Sequence, residues 1–291
     1  MFSHSKQLLA LSGVCLSAFF APGAHASLVP WVGTANYLAA SGAAGDEDSV
    51  GPFSSYDFAS GGVVLIKPDT IVTPGVFTVG DTYHGYYQSY VTRHMLGAST
   101  VASPNLNTTG SGAGYELTIA ADFTQQVVGV DAFGNPTFAV NPGGGASIYF
   151  DTTSDYNFAA DSGFANGSAI LTGNIIGGGG AYLNSFGVGV SSIDLTVAAL
   201  GFDPTVFEPD TISGSEGVFT LRLNPNGVTA QVSAVLGHQA TSGDLKLEAD
   251  GNLDLLAVPL PASLLLLGSA LAGLGMTARR GNSQGLTPLL A

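Results

Sequence analysis

The chain has 291 residues, of which 45% are hydrophobic and only 10% charged, and its formal net charge is −14. This acidic balance argues against DNA, RNA or anionic lipid as ligands, because phosphate groups are bound by clustered Lys and Arg. The single cysteine, Cys15, lies near the N-terminus, so the remainder of the chain has no disulfide and no cysteine-based metal site.

The N-terminus has the order of a secretory signal. Lys6 is followed by an apolar run over residues 8–20 and then by Ala24-His25-Ala26. A basic start, an apolar centre and small residues two apart are typical of a signal peptide. We therefore expect residues 1–26 to form a signal-peptide helix that signal peptidase removes after Ala26, with Ala24 as the other small residue of the cleavage site.

Residues 27–257 are predicted to form one extracytoplasmic all-β domain. Short segments of alternating polarity are separated by turn sequences rich in Gly, Asn, Pro and Asp, and amphipathic helices are lacking between them. The pattern favours an antiparallel β-sandwich or jelly roll. This part holds all 21 acidic residues and four basic ones, a formal charge of −17. The glycine runs at 143–145 and 177–180 are interpreted as loops.

The clearest predicted strand covers residues 115–123. Alternation places one set of side chains on its inner face, namely Tyr115, Leu117, Ile119, Ala121 and Phe123. Glu116, Thr118 and Asp122 are then expected to face water. Near the end of the domain, residues 244–248 and 252–256 are predicted to form a hairpin across Asp250-Gly251.

Four tyrosines lie close together at Tyr83, Tyr86, Tyr87 and Tyr90. Their spacing also fits a helical stripe, but Gly85 and the neighbouring β-branched residues favour a strand. The cluster is a candidate glycan contact, because sugar rings pack on flat aromatic surfaces. A polar rim could come from His84, Gln88 and Arg93. The alternative is that these tyrosines belong to the core of a β-sheet.

Calcium is the candidate cofactor that the acidic loops suggest. Asp151, Asp155 and Asn157 place hard oxygen ligands within one short segment, as Ca²⁺ requires. The spacing matches neither an EF-hand nor a glycine-rich nonapeptide repeat. The alternative is that these side chains cap turns in a solvated loop.

Motifs of known catalytic chemistry are missing. The sequence has neither a Gly-x-Ser-x-Gly elbow nor a His-Glu-x-x-His helix, and the domain holds three histidines, His84, His94 and His238. We therefore expect a protein that is not an enzyme. Glycoside hydrolysis stays open, since it needs only two suitably placed carboxylates.

The C-terminus has the order of a sorting signal. Val258-Pro259-Leu260-Pro261 precedes the uncharged residues 262–278, and Arg279-Arg280 follow. A helix of this length reaches roughly 25 Å, close to the minimum for a hydrocarbon core of about 30 Å. The arginines are expected to stay on the cytoplasmic side. Residues 258–280 are thus predicted to anchor the precursor in the inner membrane, and 281–291 to form a cytoplasmic tail.

This tail resembles the PEP-CTERM class of sorting signals, in the variant that reads Val-Pro-Leu-Pro-Ala at residues 258–262. The resemblance implies recognition by an exosortase, processing near the proline motif, and delivery to the cell surface or extracellular matrix of a Gram-negative, exopolysaccharide-producing bacterium. The chain departs from the class by continuing beyond Arg280.

Several segments between residues 79 and 173 are similar to flocculation-associated PEP-CTERM proteins. They are 79–82, 114–116, 147–151, 163–164 and 169–173. This resemblance implies a structural or adhesive role in the exopolysaccharide of biofilms and flocs. The alternatives are a secreted carbohydrate-active enzyme and a calcium-dependent glycan-binding module.

Overall fold

The computed structural model describes residues 29–41, 47, 49–69, 76–108, 114–182, 191–212, 216–224 and 231–257. These residues all belong to one compact unit. Within them, no helix is long and apolar enough to cross a membrane. The predicted signal peptide and sorting tail lie outside the described residues.

The described residues are mostly β-strand, with one short helix, α1 (Tyr37–Ser41). The strands are β1 (Val29–Pro30), β2 (Gly33–Ala35), β3 (Val50–Phe53), β4 (Ser55–Phe58), β5 (Gly62–Pro68), β6 (Thr82–Leu96), β7 (Ser99–Val101), β8 (Glu116–Val130), β9 (Pro136–Asp151), β10 (Ser168–Ala181), β11 (Ser191–Phe202), β12 (Phe207–Glu208), β13 (Glu216–Asn224), β14 (Ala234–Val235), β15 (His238–Gln239) and β16 (Leu245–Ala257).

The main sheet closes on itself as an eight-stranded antiparallel barrel. Its order is β16, β13, β11, β10, β9, β8 and β6, and β4 and β5 together fill the eighth position between β6 and β16. The all-β class is confirmed, but the predicted sandwich or jelly roll is wrong. A sandwich has two separate sheets that pack face to face, whereas here one closed sheet surrounds the core.

Strand β16 closes the barrel, and this role overturns the predicted hairpin at Asp250-Gly251. The strand runs without a turn through both residues, and Asp250 pairs with Arg222 on β13. On its other edge, β16 pairs first with β5 and then, beyond Gly251, with β4. An Asp-Gly pair here marks the point where one partner strand is exchanged for the next.

The inner face of β8 is as predicted. The five side chains predicted to face inward, from Tyr115 just before the strand to Phe123 within it, are each at most 2% exposed: Tyr115, Leu117, Ile119, Ala121 and Phe123. Phe219, Leu221 and Leu223 of β13 are buried in the same core. Alternation along the strand thus identifies the residues that fill the barrel.

The outer face of β8 differs from the prediction at two positions. Glu116 and Thr118 are buried, although both were expected to face water. A loop between β9 and β10 covers them: the Thr118 hydroxyl donates to the carbonyl of Phe164 at 2.9 Å, and a Glu116 carboxylate oxygen accepts the N–H of Asp155 at 3.1 Å. Burial on the outer wall therefore comes from a second layer.

The glycine runs that were interpreted as loops lie inside strands. Residues 143–145 belong to β9 and 177–180 to β10, at positions where the pairing register shifts. Glycine is also required inside the barrel at Gly85, where an added Cβ would lie 2.3 Å from the ring of Phe123. Glycine here lets strands bend and lets side chains approach the backbone closely.

One end of the barrel is filled by aromatic side chains from α1 and the small sheet β12-β2-β3. Tyr37 stacks on Phe150 with ring centroids 6.0 Å apart, and its hydroxyl lies 2.7 Å from Nε2 of His94. Trp31 contacts Phe53 edge-on and donates to the carbonyl of Pro209 at 2.9 Å. These contacts seal that end from solvent.

The second layer contains the β14–β15 hairpin, which packs on the outer wall. Its Val232 and Val235 form a small hydrophobic cluster with Val63 and Leu65 of β5. The Asp161 carboxylate accepts the successive N–H groups of Leu236 and Gly237 at the hairpin turn, at 2.9 and 2.7 Å. Both turn residues have positive φ, so two adjacent amides point at one anion.

Candidate functional site

The segment that holds the four tyrosines is strand β6, as the sequence favoured over a helix. Strand alternation divides the cluster between two faces. Tyr83 and Tyr87 point into the barrel and are 3% and 0% exposed, whereas Tyr86 and Tyr90 lie on the outer wall and are partly exposed. The proposed four-tyrosine platform is therefore not one surface, and Tyr83 and Tyr87 belong to the core.

Tyr86 is the centre of a stack of three nearly parallel rings. Its ring lies 3.7 Å from that of His238 on the β14–β15 hairpin and 5.7 Å from that of His84, with interplanar angles of 16° and 13°. Gln88, which was expected on the polar rim, is buried. Its side-chain oxygen Oε1 accepts the backbone N–H of Leu236 at 3.0 Å. The hairpin therefore covers part of the predicted binding surface.

Tyr90 is likewise covered on one side. Tyr156, in the loop over β8, stacks on it with centroids 4.1 Å apart and an interplanar angle of 15°. Burial of Tyr156, aided by its hydroxyl contact with Tyr90, raises its pKa above the usual value of a phenol. This pair fastens the loop to the wall, and one face of each ring is covered by the other.

A polar groove on the outer wall has more of the features of a binding site. It lies where β4, β13 and β16 meet, and its volume is about 250 Å³. Its polar lining comes from strands far apart in sequence: Ser55, Asp57, Arg222, Asp250, Asn252 and Asp254. Donors and acceptors thus converge in one concave surface, as they do in sites for small polar ligands.

The charges of the groove are unevenly compensated. Asp57 forms an ion pair with Arg93, whose Nη2 and Nε lie 2.5 and 2.8 Å from the same carboxylate oxygen. Partial desolvation, with the carboxylate of Asp57 nearby, raises the pKa of Asp250. Desolvation also raises the pKa of Asp254, against a hydrogen bond from Ser55. Asp250 and Asp254, whose pKa values are raised, therefore lie in the same groove as Asp57, which is paired with a cation.

The three histidines have different surroundings, and His94 is fully buried. Its Nε2 lies 2.7 Å from the hydroxyl of Tyr37, which is itself 3.1 Å from the hydroxyl of Tyr56. Desolvation lowers the pKa of His94 to about 3, so the ring is neutral at physiological pH. This network stabilises the sealed end of the barrel and has no access to a ligand.

The calcium candidates are engaged within their own loop. A carboxylate oxygen of Asp151 accepts the N–H of Thr153 at 2.8 Å, and Asn157 caps the N–H groups of Ala159 and Ala160 at 3.0 Å. Asp155 accepts the side-chain amide of Asn166 at 3.2 Å. Among the described residues, no group of three His, Asp or Glu side chains could hold a metal ion. The contacts are those of turn-capping residues.

The residues assigned to delivery lie outside the described part of the chain. They are Ala24 and Ala26 at the predicted cleavage site, Val258, Pro259, Leu260 and Pro261 in the predicted sorting motif, and Arg279 and Arg280 after the apolar segment.

One apolar cavity inside the barrel is too small to hold a ligand. The apolar cavity between β8, β9, β10 and β16 has a volume of only about 30 Å³, and its walls include Ile119, Ile148 and Leu253. Packing is therefore nearly complete there, and chemistry is expected on the outer wall.

Comparison of the chain with protein families, curated proteins and solved structures finds no match.

Only part of the groove could be recognised from the sequence. The alternation of Asp250, Asn252 and Asp254 marks one polar face of a strand, and the hairpin interpretation concealed it. Asp57 and Arg222 carry no local motif, and they join the groove only because β16 pairs with both β4 and β13.

Proposed function

We propose that the protein is exported, processed by an exosortase and held in the exopolysaccharide matrix, where its barrel acts as a structural or adhesive component of biofilms or flocs. The signal-peptide and PEP-CTERM resemblances at the two ends support delivery to the cell surface. The polar groove supports the binding role and is the observation on which this proposal rests.

Glycan recognition fits the chemistry of the groove. Sugars present many hydroxyl groups that both donate and accept hydrogen bonds, and the lining offers carboxylates, an amide, a hydroxyl and a guanidinium group. The surplus of carboxylates and the charge of −17 on residues 27–257 favour neutral or cationic sugars over uronic acids.

A retention assay on native exopolysaccharide tests this role. Asn252→Ala removes an amide from the groove, while Asn174→Ala removes an exposed amide from β10 on another part of the wall and serves as the matched control. We expect the purified domain to bind the polysaccharide about fivefold more weakly after Asn252→Ala and equally well after Asn174→Ala, because a lost hydrogen bond costs about 1 kcal/mol. Equal retention of the two variants would contradict glycan binding at the groove.

A carbohydrate-active enzyme is the second candidate, and the same groove favours it. Asp57 pairs with Asn252, so Asp250 and Asp254 lie diagonally on either side of it, at roughly 7–8 Å between Cα atoms. Glycosidases use two carboxyl groups about 5–10 Å apart, one protonated and one ionised. Release of reducing ends from the native polysaccharide, abolished by Asp250→Asn, would support hydrolysis, whereas retention without release supports the adhesive role.

A further inference from the structure

Three side chains on the outer wall form a continuous hydrogen-bonded row. Nδ1 of His84 lies 3.1 Å from a carboxylate oxygen of Asp69, and its Nε2 lies 3.2 Å from the hydroxyl of Thr124. We propose that this row is an acyl-transfer site, with Thr124 as the nucleophile, His84 as the general base and Asp69 as the residue that positions it. The substrate class is an O-acyl ester of a sugar hydroxyl.

The pairing of three strands places these residues together. His84 on β6 lies directly opposite Thr124 on β8, and Asp69 follows the end of β5, where its N–H donates to the carbonyl of Thr82 at 3.0 Å. The row therefore depends on the rigid barrel wall. Its members are separated by 15 and 40 positions in sequence, so local motifs could not reveal it.

The two hydrogen bonds give each ring nitrogen of His84 a partner that matches one tautomer of the imidazole. When Nδ1–H donates to the carboxylate of Asp69, Nε2 carries the lone pair and accepts the hydroxyl proton of Thr124. Both distances are within the range over which an acid, a base and a nucleophile act together. The row thus has the order of groups that activates a hydroxyl as a nucleophile.

The proposed reaction balances with water as the second substrate. The Thr124 oxygen bonds to the ester carbonyl carbon while its proton moves to Nε2 of His84. The bond to the sugar oxygen then breaks, and that oxygen takes the proton from His84. Water attacks the acyl-threonine in the same manner, releasing a carboxylic acid and restoring the hydroxyl.

The surroundings leave the row open to a ligand. The side chains of His84 and Asp69 are 42% and 35% exposed. The register with β9 jumps from Phe123 opposite Gly144 to Thr124 opposite Asn141, so Pro142 and Gly143 form a bulge in β9 between these two pairs. Backbone N–H groups in such bulges are suitable donors to a developing oxyanion.

The neighbouring ring stack supports a sugar as the part of the substrate that is held. The Tyr86 ring lies parallel to His84 at 5.7 Å and continues into His238, which forms an aromatic edge beside the row. Asp122, directly opposite Tyr86, makes this surface acidic and disfavours an anionic substrate. A neutral, acylated sugar can pack against the aromatic edge and is not repelled by the acidic surface.

This inference goes beyond the proposed function, and the two are separable. The row uses β6, β8 and the end of β5, whereas the groove uses β4, β13 and β16. A protein that fails to bind polysaccharide at the groove can therefore still carry an activated threonine, and the reverse also holds.

A fluorophosphonate probe tests the row without knowledge of the natural ester. The Thr124 oxygen would bond to phosphorus, fluoride would leave, and His84 would take the hydroxyl proton; mass spectrometry of peptides locates the adduct. We expect labelling of Thr124 in the full-length protein and slow hydrolysis of 4-nitrophenyl acetate. His84→Gln should slow both by at least about a hundredfold, the usual contribution of a general base.

The variants separate chemistry from folding. Thr124→Val should abolish labelling, whereas Thr124→Ser should retain it because a primary hydroxyl is less hindered. Thr137→Val, at an exposed position of β9, is the matched control and should change neither labelling nor hydrolysis. Circular dichroism and the melting temperature show that each variant is folded. Absence of an adduct at Thr124 in folded protein, or an equal rate after His84→Gln, would overturn the proposal.

Discussion

Glu116 is fully buried on the outer wall, and one oxygen of its carboxylate accepts the N–H of Asp155 in the loop above it at 3.1 Å. Desolvation raises the pKa of Glu116 from 4.5 to about 7, against hydrogen bonds from the loop. A single acidic side chain thus links the barrel wall to its second layer, and its ionisation affects both.

Stability should depend on the ionisation of Glu116. Because the folded protein retains a proton that the unfolded chain releases near pH 4.5, this group destabilises the fold as pH rises from about 4.5 to 7. Relative to the wild type, Glu116→Gln should gain roughly 1–2 kcal/mol between pH 5 and pH 8, less than the full shift because the loop lies close to solvent. Urea unfolding at the two pH values measures this difference, and a constant difference would contradict the prediction.

His94 should act in the opposite direction in acid. Its pKa falls from 6.5 to about 3 on burial, so below pH 6.5 the unfolded chain binds a proton that the folded protein refuses. Stability from this group is therefore lost as pH falls from about 6.5 to 3. His94→Gln should be less stable at pH 7, since Tyr37 loses one of its two hydroxyl partners, but should lose less stability between pH 7 and 4.

The same urea titrations serve for His94, with a matched control at the surface. His238→Gln replaces an exposed imidazole that is outside the core. The pH dependence of that variant should follow the wild type more closely than that of His94→Gln. If both substitutions reduce the loss of unfolding free energy in acid by the same amount, burial of His94 is not the cause of that loss.

The core should not tolerate a side chain at Gly85. An added Cβ would lie 2.3 to 2.7 Å from three ring atoms of Phe123, so Gly85→Ala forces the ring or the strand to move. We expect a loss of about 1–3 kcal/mol in the free energy of unfolding, typical of overpacking. Gly177→Ala on β10, where an added Cβ meets nothing within 4 Å, is the control and should be nearly neutral. Adding Phe123→Leu should recover part of the loss at position 85.

The Asp161 carboxylate should hold the β14–β15 hairpin on the wall. Asp161→Ala leaves the N–H groups of Leu236 and Gly237 without this acceptor, and Leu236 already has a positive φ of 51°. We expect faster hydrogen exchange over residues 231–240 and a loss of about 1–2 kcal/mol. Asp203→Ala removes a cap from the turn at Thr205 and should leave exchange in the hairpin unchanged. Unaltered protection of the hairpin in Asp161→Ala would refute this role.

The C-terminal arginines should govern maturation in cells. Replacing Arg279 and Arg280 with Gln removes the charges expected to resist translocation. We expect more full-length precursor, measured by mass spectrometry of the isolated protein. Replacing Lys246, a base within the β domain, is the control and should not alter processing. Unchanged maturation of the double variant would contradict the sorting role.

The alternation of polar and apolar residues was sufficient to predict the clearest strand and the side chains on its inner face. Residues 115–123 alternate so regularly that their inward set could be named from sequence, because a strand has a period of two. In β6, Gly85 and the neighbouring β-branched residues correctly favoured a strand over a helix. The alternation of inner and outer side chains has a limit. It could not show that the outer face would also be covered, since the loop that buries Glu116 and Thr118 is fastened by contacts more than 35 positions away.

The amino-acid sequence by itself determined the all-β class and the inner faces of the clearest strands, because these depend on the spacing of neighbouring residues. Closure into a barrel was decided by the tertiary structure, when β16 paired with β4 and β5 from the beginning of the domain. The pairing of β16 with β4 on one edge and with β13 on the other also assembled the polar groove from Asp57, Arg222 and Asp250. Cross-strand neighbours are set by register over long separations, and no local pattern encodes the register.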